Sequence, residues 1–219
     1  MPAAERLRRH GRAARARPPT LARAAAAACL LALVPVGESA KRLPRASVPR
    51  PTPIGVTGAY RLPATSPAVA AGRPVGSLRC TRSRARRDGV HVELFARRLV
   101  LLLPAGIGIA PPLRRDGAYV LGGRCSYPLL TREPSGVVEV AAGRRLTVGQ
   151  LFSVWGQPLS RRVLAGFRAP RGKEVLAFVG GRRWTDDPRR IPLSRHAEIV
   201  LEIGGYVPPH RSYLFHQGL

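Results

Sequence analysis

Cysteine, lysine, acidic and aromatic residues are all scarce in this chain of 219 residues. Each scarcity removes a class of protein. Three cysteines can build neither a disulfide-dense scaffold nor a four-cysteine zinc site. Aromatic residues make up 5%, enough for a modest core but few to stack on bases. No uncharged apolar run approaches the ~18 residues of a membrane span. The length allows one domain of ordinary size with tails and is too short for a multidomain enzyme.

Acids number 12 against 37 basic residues, for a formal net charge of +25, and all the basic residues but Lys41 and Lys173 are arginine. Such an excess invites a nucleic-acid reading. The distribution argues against it, because 15 of the 25 net charges fall in residues 1–88. Arginine also travels here with alanine, glycine and proline, the signature of a GC-rich genome. The run Arg82, Arg84, Arg86 and Arg87 has no aromatic residue within it. Specific nucleic-acid binding is therefore not expected. The partner is left unassigned by the sequence, and the charge allows at most a weak attraction to anionic envelope polymers or a membrane surface.

Residues 1–23 hold seven arginines, and Ala24–Val36 is an uncharged run, AAAAACLLALVPV. A basic stretch before a short apolar one is the pattern of an export signal. As a helix the run spans about 20 Å, less than the ~30 Å hydrocarbon core. Residues 1–40 are expected to be a signal peptide or an N-terminal anchor, the alternative being an Arg/Ala-rich tail. Residues 41–76 contain seven prolines and no period of two or 3.6. They are expected to be a disordered linker.

From residue 77 the pattern becomes that of a folded domain. His91–Ala96 and Leu99–Leu103 read as strands joined tightly by Arg97 and Arg98, with further strands at Ala118–Leu121, Ser126–Thr131 and Val137–Val140. Thr147 stands three residues before Gln150, a capping box that opens a helix over Val148–Trp155. Gly156 is placed to stop it, and Leu146 and Leu151 to staple it. Glu174–Val179, a Gly180-Gly181 turn and Arg182–Trp184 make a hairpin. In Ala197–Ile203, Glu198 and Glu202 face one way and Ile199, Leu201 and Ile203 the other. The expected fold class is α+β: a small mixed sheet with one short helix, β-grasp-like, over residues 77–219.

Several longer motifs accompany this pattern: PAGIGI at 104–109, TVGQLFSVWGQPLS at 147–160, VGGRRWTDDPRRIPL at 179–193, HAEIVLEIG at 196–204 and VPP at 207–209. On these motifs the stretch from Cys80 to Leu219 resembles a family of uncharacterised exported bacterial proteins. The resemblance implies a fold and a compartment more than an activity. It also implies a histidine-rich opening strand and histidines in the segment after the cysteine. Here the opening strand reads Arg87-Asp88-Gly89-Val90-His91, and Leu130, Arg132 and Glu139 stand where further histidines would be. Converging imidazoles would suit a transition metal such as copper. In this chain the remaining candidate ligands are His91, Glu93 and Glu139, which fit either a remnant metal site or an exposed polar strand face. Arg132 would repel a cation there, so tight copper or zinc binding is not expected and no cofactor is assigned. His196 reads as a capping or surface residue. His210 and His216 lie in a tail where they can bind metal adventitiously.

Cys80 and Cys125 are the cysteines left after signal removal. In an oxidising compartment such a pair is expected to form a disulfide, with free thiols or a soft-metal site as the alternatives. No nucleophile elbow, carboxylate pair of argued geometry or phosphate-cradling glycine loop is present. The sequence points to an exported, non-enzymatic binding or structural domain. The alternatives are a degenerate envelope metal-binding protein and a basic nucleic-acid-binding protein.

Overall fold

The computed structural model describes residues 65–82 and 85–219. The expected signal segment, and the expected linker as far as residue 64, lie outside the described residues. The central sheet has seven strands: β1 (Arg87–Ala96), β2 (Leu99–Val100), β3 (Leu129–Leu130), β4 (Val137–Ala141), β5 (Leu176–Val179), β6 (Arg182–Trp184) and β7 (Glu198–Ile203). Their spatial order is β6-β5-β7-β1-β4-β3, with β2 beside the far end of β1. β1 and β7 run parallel, in register from His91↔Glu198 to Ala96↔Ile203. The other pairs are antiparallel. With its helix the domain is α+β, as the sequence pattern implies.

Alternation along the strands decides which face is buried against the helix. Val90, Val92, Leu94 and Ala96 of β1, Ile199, Leu201 and Ile203 of β7, and Val138 and Val140 of β4 belong to one apolar cluster. Helix α2 (Val148–Trp155) closes it with Val148, Leu151, Phe152, Val154 and Trp155. Each fully buried aliphatic side chain contributes about 1.5–3 kcal/mol. Two turns of helix cannot stand alone in water, so this burial holds α2 in place.

The ends of α2 are set locally. Thr147 Oγ1 accepts from the Gln150 N–H at 3.4 Å and Gln150 Oε1 accepts from the Thr147 N–H at 3.0 Å, the reciprocal capping box. Gly156 terminates the helix in the left-handed conformation. Leu146 and Leu151 are both buried. Trp155 packs edge-on to Phe152, ring centroids 5.4 Å apart. These four motif residues, Thr147, Gln150, Trp155 and Gly156, therefore serve the framework.

Four segments differ from the sequence reading; one is Ser126–Thr131, read as a single strand, which divides into Cys125–Ser126 and Leu129–Leu130 in separate sheets. Residues 65–76, assigned by sequence to the linker, belong to the folded domain. Pro67–Ala71 form a short helix, α1, with Val69 fully buried in the main cluster. Tyr127 Oη donates to the Arg73 carbonyl and Arg124 to that of Ala70 at 3.1 Å. One buried valine leaves no periodic stripe to read, and proline at the first helical turn starts a helix rather than breaking it. After Pro158, Leu159–Ser160, Val163–Leu164 and Phe167–Arg168 form a small sheet in place of a loop, with Leu164 fully buried. In the run after Arg98, only Leu99–Val100 pair with β1, although Leu101 and Leu103 are buried all the same.

Between β2 and β3 the chain makes an excursion in which Ile109–Ala110 pair with Cys125–Ser126 and Arg114–Asp116 with Tyr119–Gly122. A Cys80–Cys125 disulfide joins this excursion to the segment before β1, 45 residues away in sequence. Closing a loop of that length contributes roughly 3–4 kcal/mol in the chain-entropy account.

The position of Val69 makes a direct test of the domain boundary. Val69→Ala in the full chain should lower the urea-unfolding free energy by about 1.5–2.5 kcal/mol. A loss under about 0.5 kcal/mol would mark residues 65–76 as a dispensable linker after all.

Candidate functional site

The second face of the sheet carries the polar residues of the same strands. Gly89, His91, Glu93 and Phe95 of β1 lie beside Glu198, Val200 and Glu202 of β7 and Val137 and Glu139 of β4. This face is covered by the chain that follows β7. Tyr213 stacks on His91, centroids 3.8 Å apart and planes 13° apart. Phe215 stacks on His196 at 4.8 Å and lies over Gly89, where a β-carbon would come within 2.6 Å of its ring. His210 Nδ1 pairs with Glu93 Oε2 at 2.9 Å. Glu202 Oε2 accepts from the Val207 N–H at 3.1 Å, and Val207 packs with Phe95, Phe178 and Val200. Residues 206–219 thus form a strap across the polar face.

His91 is the centre of this arrangement and is 5% exposed. Its Nδ1 lies 2.8 and 3.0 Å from the two oxygens of Glu198, which is itself 2% exposed. Its Nε2 lies 3.0 Å from the Ser135 carbonyl. Both ring nitrogens face acceptors, which favours the doubly protonated ring. Burial alone would lower the His91 pKa. The hydrogen bond and charge of Glu198, the Ser135 carbonyl and the charge of Glu93 outweigh it, and the pKa is raised above 6.5. The approach of Ser135 depends on Gly136, where φ is 86° and a β-carbon would fall 2.8 Å from His91 Nε2.

Of the candidate ligands expected from sequence, His91 and Glu93 fall together and Glu139 does not join them. The carboxylate beside His91 is Glu198, and the three side chains His91, Glu93 and Glu198 offer donor atoms within 4.8 Å of one another. Glu139 is held instead by Arg132 Nε at 2.8 Å and Arg87 Nε at 3.8 Å. Arg132 also donates to the carbonyls of Val120 and Leu121. Glu139 answers one of the two guanidinium charges, and Arg132 is turned toward Glu139 and the Val120 and Leu121 carbonyls. Burial lowers the Arg87 pKa, Glu139 raises it and Arg132 lowers it further, with a net lowering. The alternation in β7 already placed Glu198 on a polar face, but nothing local names β1 as its neighbour. Tyr213 had no sequence signal at all. His196 lies in the turn before β7, its Nε2 2.7 Å from the Leu219 carbonyl.

Beside this face is a cleft of about 610 Å³ whose lining includes Arg82, Arg87, Arg114, Arg124 and Arg132, with Glu139 its one carboxylate side chain. Among the described residues no helix is long and apolar enough to cross a membrane. Compared with protein-family models, curated proteins and solved structures, the chain matches none.

The raised pKa of His91 has a definite consequence for stability. A group whose folded pKa lies above its unfolded value stabilises fully below the unfolded value, about 6.5, and less as pH rises through the folded value. Glu202, pushed up by burial against the weaker lowering by the Val207 N–H and Arg183, costs stability once it ionises. Its effect therefore has the same sign at lower pH. In chelator-containing buffer the unfolding free energy should rise as pH falls toward about 6.5, by at most ~1.4 kcal/mol per pH unit for each titrating group. His91→Gln should flatten that part of the profile. A wild-type profile already flat between about pH 6 and 9 would contradict the assignment.

Proposed function

We propose that this chain is an exported, non-enzymatic binding domain of β-grasp-like fold whose arginine-lined cleft takes the anionic groups of an envelope polymer. The carrying observation is the cleft itself, which among the described residues is lined by five guanidinium side chains and one carboxylate side chain. Guanidinium groups bind phosphate and carboxylate through two parallel hydrogen bonds. Arg87 and Arg132 spend part of this capacity on Glu139 and backbone carbonyls. Arg82, Arg114 and Arg124 are more exposed and supply the donors that a ligand meets first.

Other features support the rest of the reading. The β1–β4 pair, the α2 connection, the β5–β6 hairpin and the return of β7 parallel to β1 are the order of elements in a β-grasp. The basic stretch with Ala24–Val36 supports export, and so does the disulfide, since such bonds persist in oxidising compartments. The resemblance to exported bacterial proteins agrees with both. His91 and Glu198 are paired with each other beneath Tyr213, which favours a binding role over proton transfer to a substrate.

Two measurements test this reading. A fusion of residues 1–45 to a reporter active only outside the cytoplasm should score positive, and a purely cytoplasmic signal would remove the export claim. For the cleft, a glycerol-phosphate oligomer titrated into the full chain should bind at 50 mM salt and weaken at least about tenfold by 300 mM, as screening requires. Replacing Arg114 and Arg124 together by serine should weaken binding by a similar factor. The same change at the exposed pair Arg144 and Arg145, outside the cleft, should not. Equal losses from both pairs would assign the binding to diffuse charge and end the proposal for the cleft.

A further inference from the structure

The cluster at His91 has a geometry that the arginine cleft does not explain. His91 Nδ1 and the two Glu198 oxygens are 2.8 and 3.0 Å apart. Donor atoms sharing one zinc ion stand about 3–3.5 Å apart, given bonds of ~2.0–2.2 Å and near-tetrahedral angles. Placing an ion between these two side chains therefore needs a small outward movement and release of the His91 Nδ1 proton to solvent, since a ligating imidazole nitrogen carries no proton. Glu93 supplies a third donor within 4.8 Å of the other two. It comes from the same strand face two residues along, so the backbone fixes its direction.

Three surroundings favour the same use. The Ser135 carbonyl lies 3.0 Å from His91 Nε2, the second hydrogen bond that orients a ligating imidazole and leaves its other nitrogen for the metal. Tyr213 covers the flat face of the ring, and because metals bind an imidazole in its plane, the stack leaves the coordinating edge clear. A cavity of about 90 Å³ opens beside His91 and Glu93, bounded by Pro134, Ser135 and Gly136 on one side. At ~30 Å³ per water it has room for coordinated water to complete the shell.

We propose that His91, Glu93 and Glu198 form a binding site for one divalent first-row transition ion, with His210 of the strap close enough to Glu93 to sense its occupancy. One imidazole and two carboxylates make a nitrogen–oxygen donor set suited to zinc and its neighbours. The two carboxylates balance the dication, and no arginine stands among the three ligands. This site is separate from the cleft and does not depend on it.

The test is a calorimetric zinc titration of the full chain. The expected result is one site per chain filling at low micromolar zinc. Glu93→Gln and His91→Asn should each weaken it at least about tenfold, the scale on which even supporting residues act. His10→Ala, in the expected signal segment, combined with His216→Ala, in the C-terminal tail, should leave it unchanged. Glu93 is only partly buried, so its glutamine variant keeps the test sharp if His91→Asn fails to fold. Zinc binding that survives Glu93→Gln, or that disappears with His10 and His216, is adventitious binding by the tails and overturns the proposal. So does an absence of binding at 100 μM zinc.

Discussion

The parallel pairing of β1 with β7 is the constraint on which the rest of the domain depends. It joins residues more than a hundred positions apart and places them at the middle of the sheet. Seven aliphatic side chains on these two strands, Val90, Val92, Leu94, Ala96, Ile199, Leu201 and Ile203, share the face under α2. A slip of one residue would exchange the faces. Ile199 would turn toward the strap, and one strand's acids would enter the core. The apolar face therefore fixes the register, and the register brings His91 against Glu198. The polar cluster is a consequence of core packing on the opposite side of the same strands.

A second set of contacts fixes the excursion between β2 and β3. The disulfide ties Cys125 to the segment ahead of β1, and Arg87, Glu139 and Arg132 tie the two sides of the cleft together. Partly burying a guanidinium group is costly, and for Arg87 the cost shows in a lowered pKa. Such a network contributes less to net stability than to uniqueness, because removing Glu139 would leave two like charges facing each other.

What the sequence showed followed from how local each signal is. The α2 boundaries were readable to the residue because a capping box and a C-terminal glycine lie within ten positions of each other. The β5–β6 hairpin was readable from Gly180-Gly181 for the same reason. The alternation of β7 gave its two faces but not its neighbour, so Glu198 was not among the candidate ligands, whereas Glu139 entered as one through the resemblance. Both are acids on polar strand faces, and only the parallel pairing distinguishes them. Helix α1 escaped because one valine anchors it. The strap escaped because its contacts are single rings and single hydrogen bonds, without any period.

The two faces of the sheet also differ in how firmly they are closed. The α2 side is sealed by many aliphatic contacts that are lost only together. The strap side is closed by separate smaller ones: a stacked ring at His91, another at His196, the contact of His210 with Glu93, one hydrogen bond at Glu202 and the packing of Val207 on Phe95, Phe178 and Val200. Exposed ion pairs contribute about 0–1 kcal/mol and aromatic pairs about 0.5–1.5 beyond their burial. Contacts of that size break by local opening at a free energy well below that of global unfolding. Release of residues 206–219 would uncover His91, Glu93 and Glu198 together while α2 and the register of β1 with β7 stay intact. The cluster thus lies between the Pro134–Gly136 turn on one side and a strap held by small separate contacts on the other.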